Sequence, residues 1–291
     1  MRLLLAMPGN GVLGQAIARH MNADYAEVET RRFPDGESHV RLPPDLSAKD
    51  VHLLCTLREP DAQFLSLAFA AKTARELGAR SVGLIAPYLA YMRQDIRFQP
   101  GEAIAARGFA ALLSQLFDTV LTVDPHLHRI SSLAEVFTIR ACAISAAPLM
   151  GEWIESSVPN PLIIGPDRES EQWASAVAQA AGAPYEVLSK TRRDDRRVLL
   201  DMPDLLRWRG RKPVLVDDIA STGGTLVEAA ARLTALGFAK PVCVVVHALC
   251  SAEAEARLRA ATDGFVSTDT VPHPSNAISV AQLLADATPS A

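Results

Sequence analysis

What most constrains this chain is a rhythm of short aliphatic runs. Leu3–Met7, Val51–Leu57, Val82–Pro87, Val120–Val123, Leu162–Gly165, Val214–Asp217 and Val242–Ala248 are apolar almost throughout and do not alternate with polar residues. Strands of that kind are buried on both faces, which happens when a parallel sheet is covered by helices on either side. The intervening segments supply those helices. Phe64–Leu77, Ala103–Leu116, Glu171–Ala181 and Thr225–Leu236 carry apolar residues at spacings of three and four, the period of an amphipathic helix. The expected class is therefore α/β, a mainly parallel sheet flanked by helices.

The rhythm also repeats. Leu3-Leu4-Leu5-Ala6 has a counterpart in Leu162-Ile163-Ile164-Gly165, and Tyr25 to Arg31 in Tyr185 to Arg192. The helix stopping at Leu77-Gly78 before Val82–Pro87 matches one stopping at Leu236-Gly237 before Val242–Ala248. Agreement of several elements in order and spacing points to duplication. Two similar lobes are expected, over residues 1–145 and 146–291. A chain of 291 residues that is 49% hydrophobic has the apolar material for two cores.

Charge and cysteines narrow the function classes. Twenty-nine Lys and Arg against 33 Asp and Glu leave a formal charge of -4, with no basic excess to neutralise a run of nucleic-acid phosphates. Cys55, Cys142, Cys243 and Cys250 sit among apolar residues without a Cys-x-x-Cys pair; they read as buried, reduced thiols in a cytoplasmic protein. The uncharged stretch Leu3–Ala18 imitates a signal peptide, but Pro8-Gly9-Asn10-Gly11 cuts its apolar core short. No apolar run approaches the ~18 residues of a membrane span.

Two glycine-rich turns follow strands. Gly9-x-Gly11-x-x-Gly14, with Glu29 downstream, satisfies the dinucleotide fingerprint on paper. A tight strand-to-helix turn needing small residues explains it as well, and that reading is favoured because a later segment calls for different phosphate chemistry. That segment is Val214 to Thr225: a buried strand, the carboxylates Asp217 and Asp218, then Ser221-Thr222-Gly223-Gly224-Thr225 opening a helix. A helix N-terminus presents unpaired N–H groups and the positive end of its dipole, and the glycines let an anion approach the main chain. Hydroxyls add donors, while carboxylates accept from sugar hydroxyls or orient a metal-bound water. The Gly-Lys-Ser/Thr ending of a nucleotide P-loop is missing. The segment reads as a cradle for a monophosphate and a ribose.

This loop resembles the ribose-5-phosphate loop of the phosphoribosyltransferase fold, in particular that of the ribose-phosphate diphosphokinase (phosphoribosyl pyrophosphate synthase) family. Phe33-Pro34-Asp35-Gly36-Glu37 resembles the family's adenine-recognising segment, Arg93-Gln94-Asp95 its ATP-binding triplet, Thr122-Val123-Asp124-Pro125-His126 its Thr-Val-Asp-Leu-His and Gly165-Pro166-Asp167 its Pro-Asp segment. The likeness spans nearly the whole chain. It implies two phosphoribosyltransferase-like lobes, ATP and ribose 5-phosphate as substrates, Mg²⁺ as cofactor and a homo-oligomer. It also implies Phe33, Asp35, Glu37, Arg93, Gln94, Asp95 and His126 as ATP contacts, and Asp217, Asp218, Ser221, Thr222, Gly223, Gly224 and Thr225 as sugar-phosphate contacts. Asp124, His126 and Asp167 are implied at the metal, and Lys190 and Arg192 in a flexible catalytic loop.

The residue chemistry is consistent with those roles. Phe33 offers a face for a purine, Asp35 and Glu37 accept hydrogen bonds, and Arg93 suits a polyphosphate. Lys190 and Arg192 supply the cations a diphosphoryl transfer needs. Departures exist. Glu169-Ser170 stands where the family has a glycine pair, Leu127-His128-Arg129 replaces an uncharged polar stretch, and Ser221 replaces the Asp common in bacterial and animal members, as in the archaeal-type branch. A non-catalytic regulatory homologue, or a phosphoribosyltransferase acting on a base, remains the alternative.

Overall fold

The computed structural model describes residues 1–127, 129–194, 197–201 and 205–289. The chain divides into two compact units, Met1–Ile144 with Val280–Ala291, and Ser145–Ser279.

In chain order the first unit runs β1 (Arg2–Ala6), α1 (Gly11–Met21), β2 (Asp24–Glu27), β3 (Glu29–Arg32), β4 (Ser38–Arg41), β5 (Asp50–Leu54), α2 (Pro60–Glu76), β6 (Ser81–Ala86), α3 (Ala105–Leu116), β7 (Thr119–Val123) and β8 (Arg140–Ile144). Its six-stranded sheet has the order β2-β1-β5-β6-β7-β8, and every pairing in it is parallel. β3 and β4 form a separate antiparallel hairpin. The central strands are buried along nearly their whole length, as continuous apolar runs require.

The second unit repeats the plan with α4 (Ala147–Ser157), β9 (Pro161–Gly165), α5 (Glu171–Ala180), β10 (Tyr185–Val187), β11 (Ser189–Asp194), β12 (Arg197–Asp201), β13 (Lys212–Ala220), α6 (Gly224–Ala235), β14 (Val242–Ala248), α7 (Ala252–Ala261), β15 (Gly264–Thr268) and β16 (Asn276–Ile278). Its parallel sheet has the order β10-β9-β13-β14-β15-β16, and β11 with β12 forms the hairpin. The two sheets thus share one strand order and one hairpin position, with β1, β5 and α2 answering to β9, β13 and α6.

Two expectations need correction. The second unit closes at Ser279 and not at residue 291, because α8 (Ala281–Ala287) buries Ala281, Leu284 and Ala285 and packs against α1, β7 and β8 of the first unit. Cys142 is exposed, since it lies on β8, an edge strand whose side chains are largely outside the core. The other three cysteines are buried, and all four are free.

Candidate active site

In the second unit the aliphatic residues Val214–Val216 lie at the centre of the sheet and carry β13 on to Ala220, past the two carboxylates. The Asp218 side of the strand is buried, and its N–H donates to Asp217 Oδ1 at 3.0 Å. Burial, with Asp218 and Asp167 close by, pushes the Asp217 carboxyl well above the usual carboxylate range. Like charges gathered there make the site favour hydroxyl donors or a cation. The strand then turns through Gly223 in the left-handed region, φ 71°, where a Cβ would lie 3.0 Å from Leu258 of α7. Only glycine meets both demands. The first intrahelical bond runs from Val227 N–H to Gly223 O at 2.9 Å, so the amides before it have no partner within α6. Thr222, Gly224 and Thr225 are exposed beside them, and a Cβ at Gly224 would meet only Thr222 Oγ1, at 3.7 Å. Arg257 donates to the Thr222 carbonyl at 3.3 Å, holding the turn from α7.

Asp167 stands at the end of β9. Its Oδ1 accepts from the N–H groups of Glu169 and Ser170 at 3.0 and 3.2 Å, and Ser170 Oγ closes the reciprocal cap with Asp167 N–H at 3.3 Å. The Ser170 departure is thereby explained: its hydroxyl fills the space a Cβ on Gly165 would occupy, 2.6 Å away. Lys190 and Arg192 lie two residues apart on β11, in register with Leu200 and Val198 of β12. Asp195 and Arg196, between the strands, fall outside the described residues, as does His128.

In the first unit Phe33, Asp35 and Glu37 occupy the turn joining β3 and β4. Phe33 N–H donates to Glu37 O at 2.8 Å and Glu37 N–H to Asp35 Oδ1 at 3.1 Å. The Phe33 ring is exposed, with the Arg31 guanidinium 4.8 Å from its centroid and His39 edge-on. Arg93 and Gln94 are exposed in the segment after β6, while Asp95 is buried and bonded to Arg129 at 3.0 Å. Arg129, a departure in sequence, is thus the counterion of Asp95, 34 residues away. Nothing local in the chain could have announced that pair. Asp124 and His126 follow β7 with φ of 35° and 47°, His126 N–H donating to Asp124 O at 2.9 Å. Two non-glycine residues in that region mark a backbone held in place by its surroundings. Among the described residues no group of three His, Cys, Asp or Glu side chains forms a metal cage.

The dinucleotide-like turn is closely packed on the first sheet. Asn10 donates to Met7 O and Pro8 O at 3.2 and 3.0 Å and accepts from Thr56 N–H at 2.9 Å, which ties the end of β1 to that of β5. Gly14 admits Tyr25, Ala6 and Leu54 at 3.0 to 3.2 Å from where its Cβ would be.

A parallel sheet with a helix-opening hydroxyl and glycine loop behind paired carboxylates, set in a duplicated fold, defines a chain of phosphoribosyltransferase type. Residues 2–116 match the family model described as the N-terminal domain of ribose phosphate pyrophosphokinase, and residues 132–283 match the phosphoribosyl transferase domain. A ribose-phosphate pyrophosphokinase of Methanopyrus kandleri is 37% identical over 288 residues, 98% of each chain. That of Methanothermobacter thermautotrophicus is 32% identical over 286 residues, 98% of this chain and 99% of its own. The crystal structure of phosphoribosylpyrophosphate synthetase from Mycobacterium smegmatis shares the fold, with a TM-score of 0.86, 23% identity and coverage of 98% and 96%. The chain belongs to the ribose-phosphate pyrophosphokinase family.

Proposed function

We propose that this chain transfers the diphosphoryl group of ATP to ribose 5-phosphate, giving 5-phosphoribosyl 1-diphosphate and AMP. The observation that carries the reading is the second-unit loop, where Thr222, Gly224 and Thr225 are exposed at the N-terminus of α6 in the turn that follows Asp217 and Asp218, and a Cβ at Gly224 would meet only Thr222 Oγ1. The amides take the 5-phosphate, and the two carboxylates accept from the sugar hydroxyls and fix the anomeric oxygen. That oxygen attacks the β-phosphorus in line and releases its proton to solvent; the bond from the β-phosphorus to its bridging oxygen breaks, and AMP leaves with the electron pair. Phe33, Asp35 and Glu37 receive the adenine, and Arg93, Gln94 and His126 the polyphosphate, with Asp95 held by Arg129 as their anchor. Lys190 and Arg192 neutralise charge that develops on the transferring group, so positioning and electrostatics carry the catalysis.

Mg²⁺ fits this donor set, because it is held by one or two carboxylates plus substrate phosphates and water and needs no cage of protein ligands. Asp124 supplies such oxygens in the first unit and Asp167 in the second, and an ion held at either would screen the phosphate charge. A cytoplasmic location and a homo-oligomeric state belong to the same reading. All four cysteines are free, as thiols are in a reducing compartment. No helix among the described residues is long and apolar enough to cross a membrane.

The test is to incubate the purified chain with Mg·ATP and ribose 5-phosphate and follow products by ³¹P NMR. AMP and the sugar 1-diphosphate should appear in equal amounts. Binding of both substrates without AMP release would point instead to a regulatory homologue, and turnover of the 1-diphosphate with a free base, to a phosphoribosyltransferase.

A further inference from the structure

The strand registers pair the two units residue by residue. β1 faces β2 through Leu4 and Tyr25 and β5 through Leu5 and Leu53; β9 faces β10 through Ile163 and Tyr185 and β13 through Ile164 and Leu215. Leu53 and Leu215 therefore hold equal places. Two residues on, Cys55 stands where the second unit has Asp217, and Thr56 where it has Asp218. The hairpins agree as well, Thr30-Arg31-Arg32 on β3 against Thr191-Arg192-Arg193 on β11.

Both sheets leave their first strand to one side and return on the other, so the crevice between β1 and β5, like that between β9 and β13, is a topological switch point of the kind that holds ligands in α/β sheets. The first unit has a cavity there of about 310 Å³, lined by Thr30, Arg31, Arg32, Cys55, Gln63 and Ser66, with Met7 and Ala62 among its apolar wall. No acidic side chain lines it. The Arg31 guanidinium is stacked on Phe33, and Arg32 donates to Ala62 O at 3.1 Å. The Cys55 thiol is neutral, pushed up to about 12 by burial, and donates to Gln63 Oε1 at 3.5 Å. Where the second unit has carboxylates that grip a sugar, the first has an uncharged floor and two cations.

We propose that this cavity is a second anion site, which holds the phosphate end of a small organic phosphomonoester against Arg31, Arg32 and the hydroxyls of Thr30 and Ser66. Its volume and its apolar wall demand a body on the phosphate, since a bare phosphate would leave most of the space unfilled. With no carboxylate to position an attacking hydroxyl, the site binds and does not transfer. The ligand class rests on the proposed reading of the second-unit loop, so the experiment separates the two.

The full chain carrying Gly224→Glu, which sets a carboxylate at the mouth of that loop, is titrated by calorimetry with ribose 5-phosphate and with inorganic phosphate. One ribose 5-phosphate per chain should remain bound, more tightly than inorganic phosphate. Adding Arg31→Gln with Arg32→Gln should weaken it at least about tenfold, as loss of charge-assisted hydrogen bonds does. Ser66→Glu, which leaves both arginines in place, should do the same and covers the case in which the double variant fails to fold. Loss of all binding with Gly224→Glu alone, or binding indifferent to the pocket variants, overturns the proposal, and an equal or higher affinity for inorganic phosphate overturns its organic ligand. Failure of the second-unit reading looks different: wild type and Gly224→Glu would then bind the same number of ribose 5-phosphate molecules.

Discussion

Two and three residues past Leu215 the second unit sets Asp217 and Asp218 within β13, and at the matching places past Leu53, just after β5, the first unit sets Cys55 and Thr56. One sheet order supports both, because the order is decided by aliphatic residues inside the sheet, whereas chemistry is decided by the polar residues that follow them toward the C-terminal ends of the strands. The hairpins have kept more in common, each carrying Thr-Arg-Arg. The proposed roles of the two units therefore turn on strand-end residues, and on whether cations at equal places act alike.

Removing hairpin cations tests this most severely. Under the proposed reading, Lys190→Ala or Arg192→Ala lowers kcat by on the order of 10²–10³ with little change in KM, since their charge acts in the transition state. Arg31→Ala, at the place on the first unit's hairpin that answers to Arg192, leaves kcat within about tenfold because its charge meets no reacting atom. Steady-state kinetics of the three variants decides it. Equal losses in both hairpins would break the division of labour.

A smaller effect separates the units by pH. His52, on β5, is buried, and its pKa falls to about 4 because desolvation penalises the cation, helped by Arg2 and opposed by Asp50. Between pH 6.5 and 4 the unfolded chain binds a proton there that the folded chain refuses, so stability is lost as pH falls through that window, by on the order of 2–3 kcal/mol in all. Asp217 runs the other way. Its raised pKa means that the folded chain holds the proton more tightly, and stability falls as pH rises above the ordinary carboxylate range. In metal-free buffer, denaturant unfolding from pH 4 to 7 should show a shallower acid loss in His52→Gln and a steeper one in Asp217→Asn. Slopes unchanged in both variants would remove these residues as the source.

The strands that announced themselves were the uniformly aliphatic ones, and those are the central strands of each sheet. Edge strands were harder to see. β8 (Arg140–Ile144) and β2 (Asp24–Glu27) are half-exposed and carry charge, so their composition does not differ from that of a loop. Sequence order places α8 with the second unit and says nothing of its return to cover α1 in the first. The loop at Ser221–Thr225 was legible because its chemistry is local: glycines, hydroxyls and carboxylates needed within a few residues of one helix start. The environment of Asp95 was not, since its partner Arg129 comes from another segment, and neither residue carries a local mark of the pairing.

The smallest expected effect compares two buried threonines. Thr122, on β7 just before Asp124, is fully buried, and its Oγ1 has no hydrogen-bond partner among the described residues. Thr268, on β15 of the second unit, is equally buried, but its hydroxyl lies 2.7 Å from the Val246 carbonyl and accepts from Thr270 N–H at 3.3 Å. Valine has nearly the shape of threonine, so each Thr→Val change removes a hydroxyl and leaves the packing almost untouched. At position 268 it removes a buried hydroxyl that bonds the Val246 carbonyl, the Thr270 hydroxyl and the Thr270 N–H, which costs about 1–3 kcal/mol. At position 122 it removes a group that already bears its desolvation cost, and stability should stay within about 1 kcal/mol or rise. Chemical denaturation of both variants measures the difference. A loss at Thr122→Val as large as at Thr268→Val would show that the Thr122 hydroxyl is satisfied in solution, and the environment beneath Asp124 and His126 would have to be redrawn around that partner.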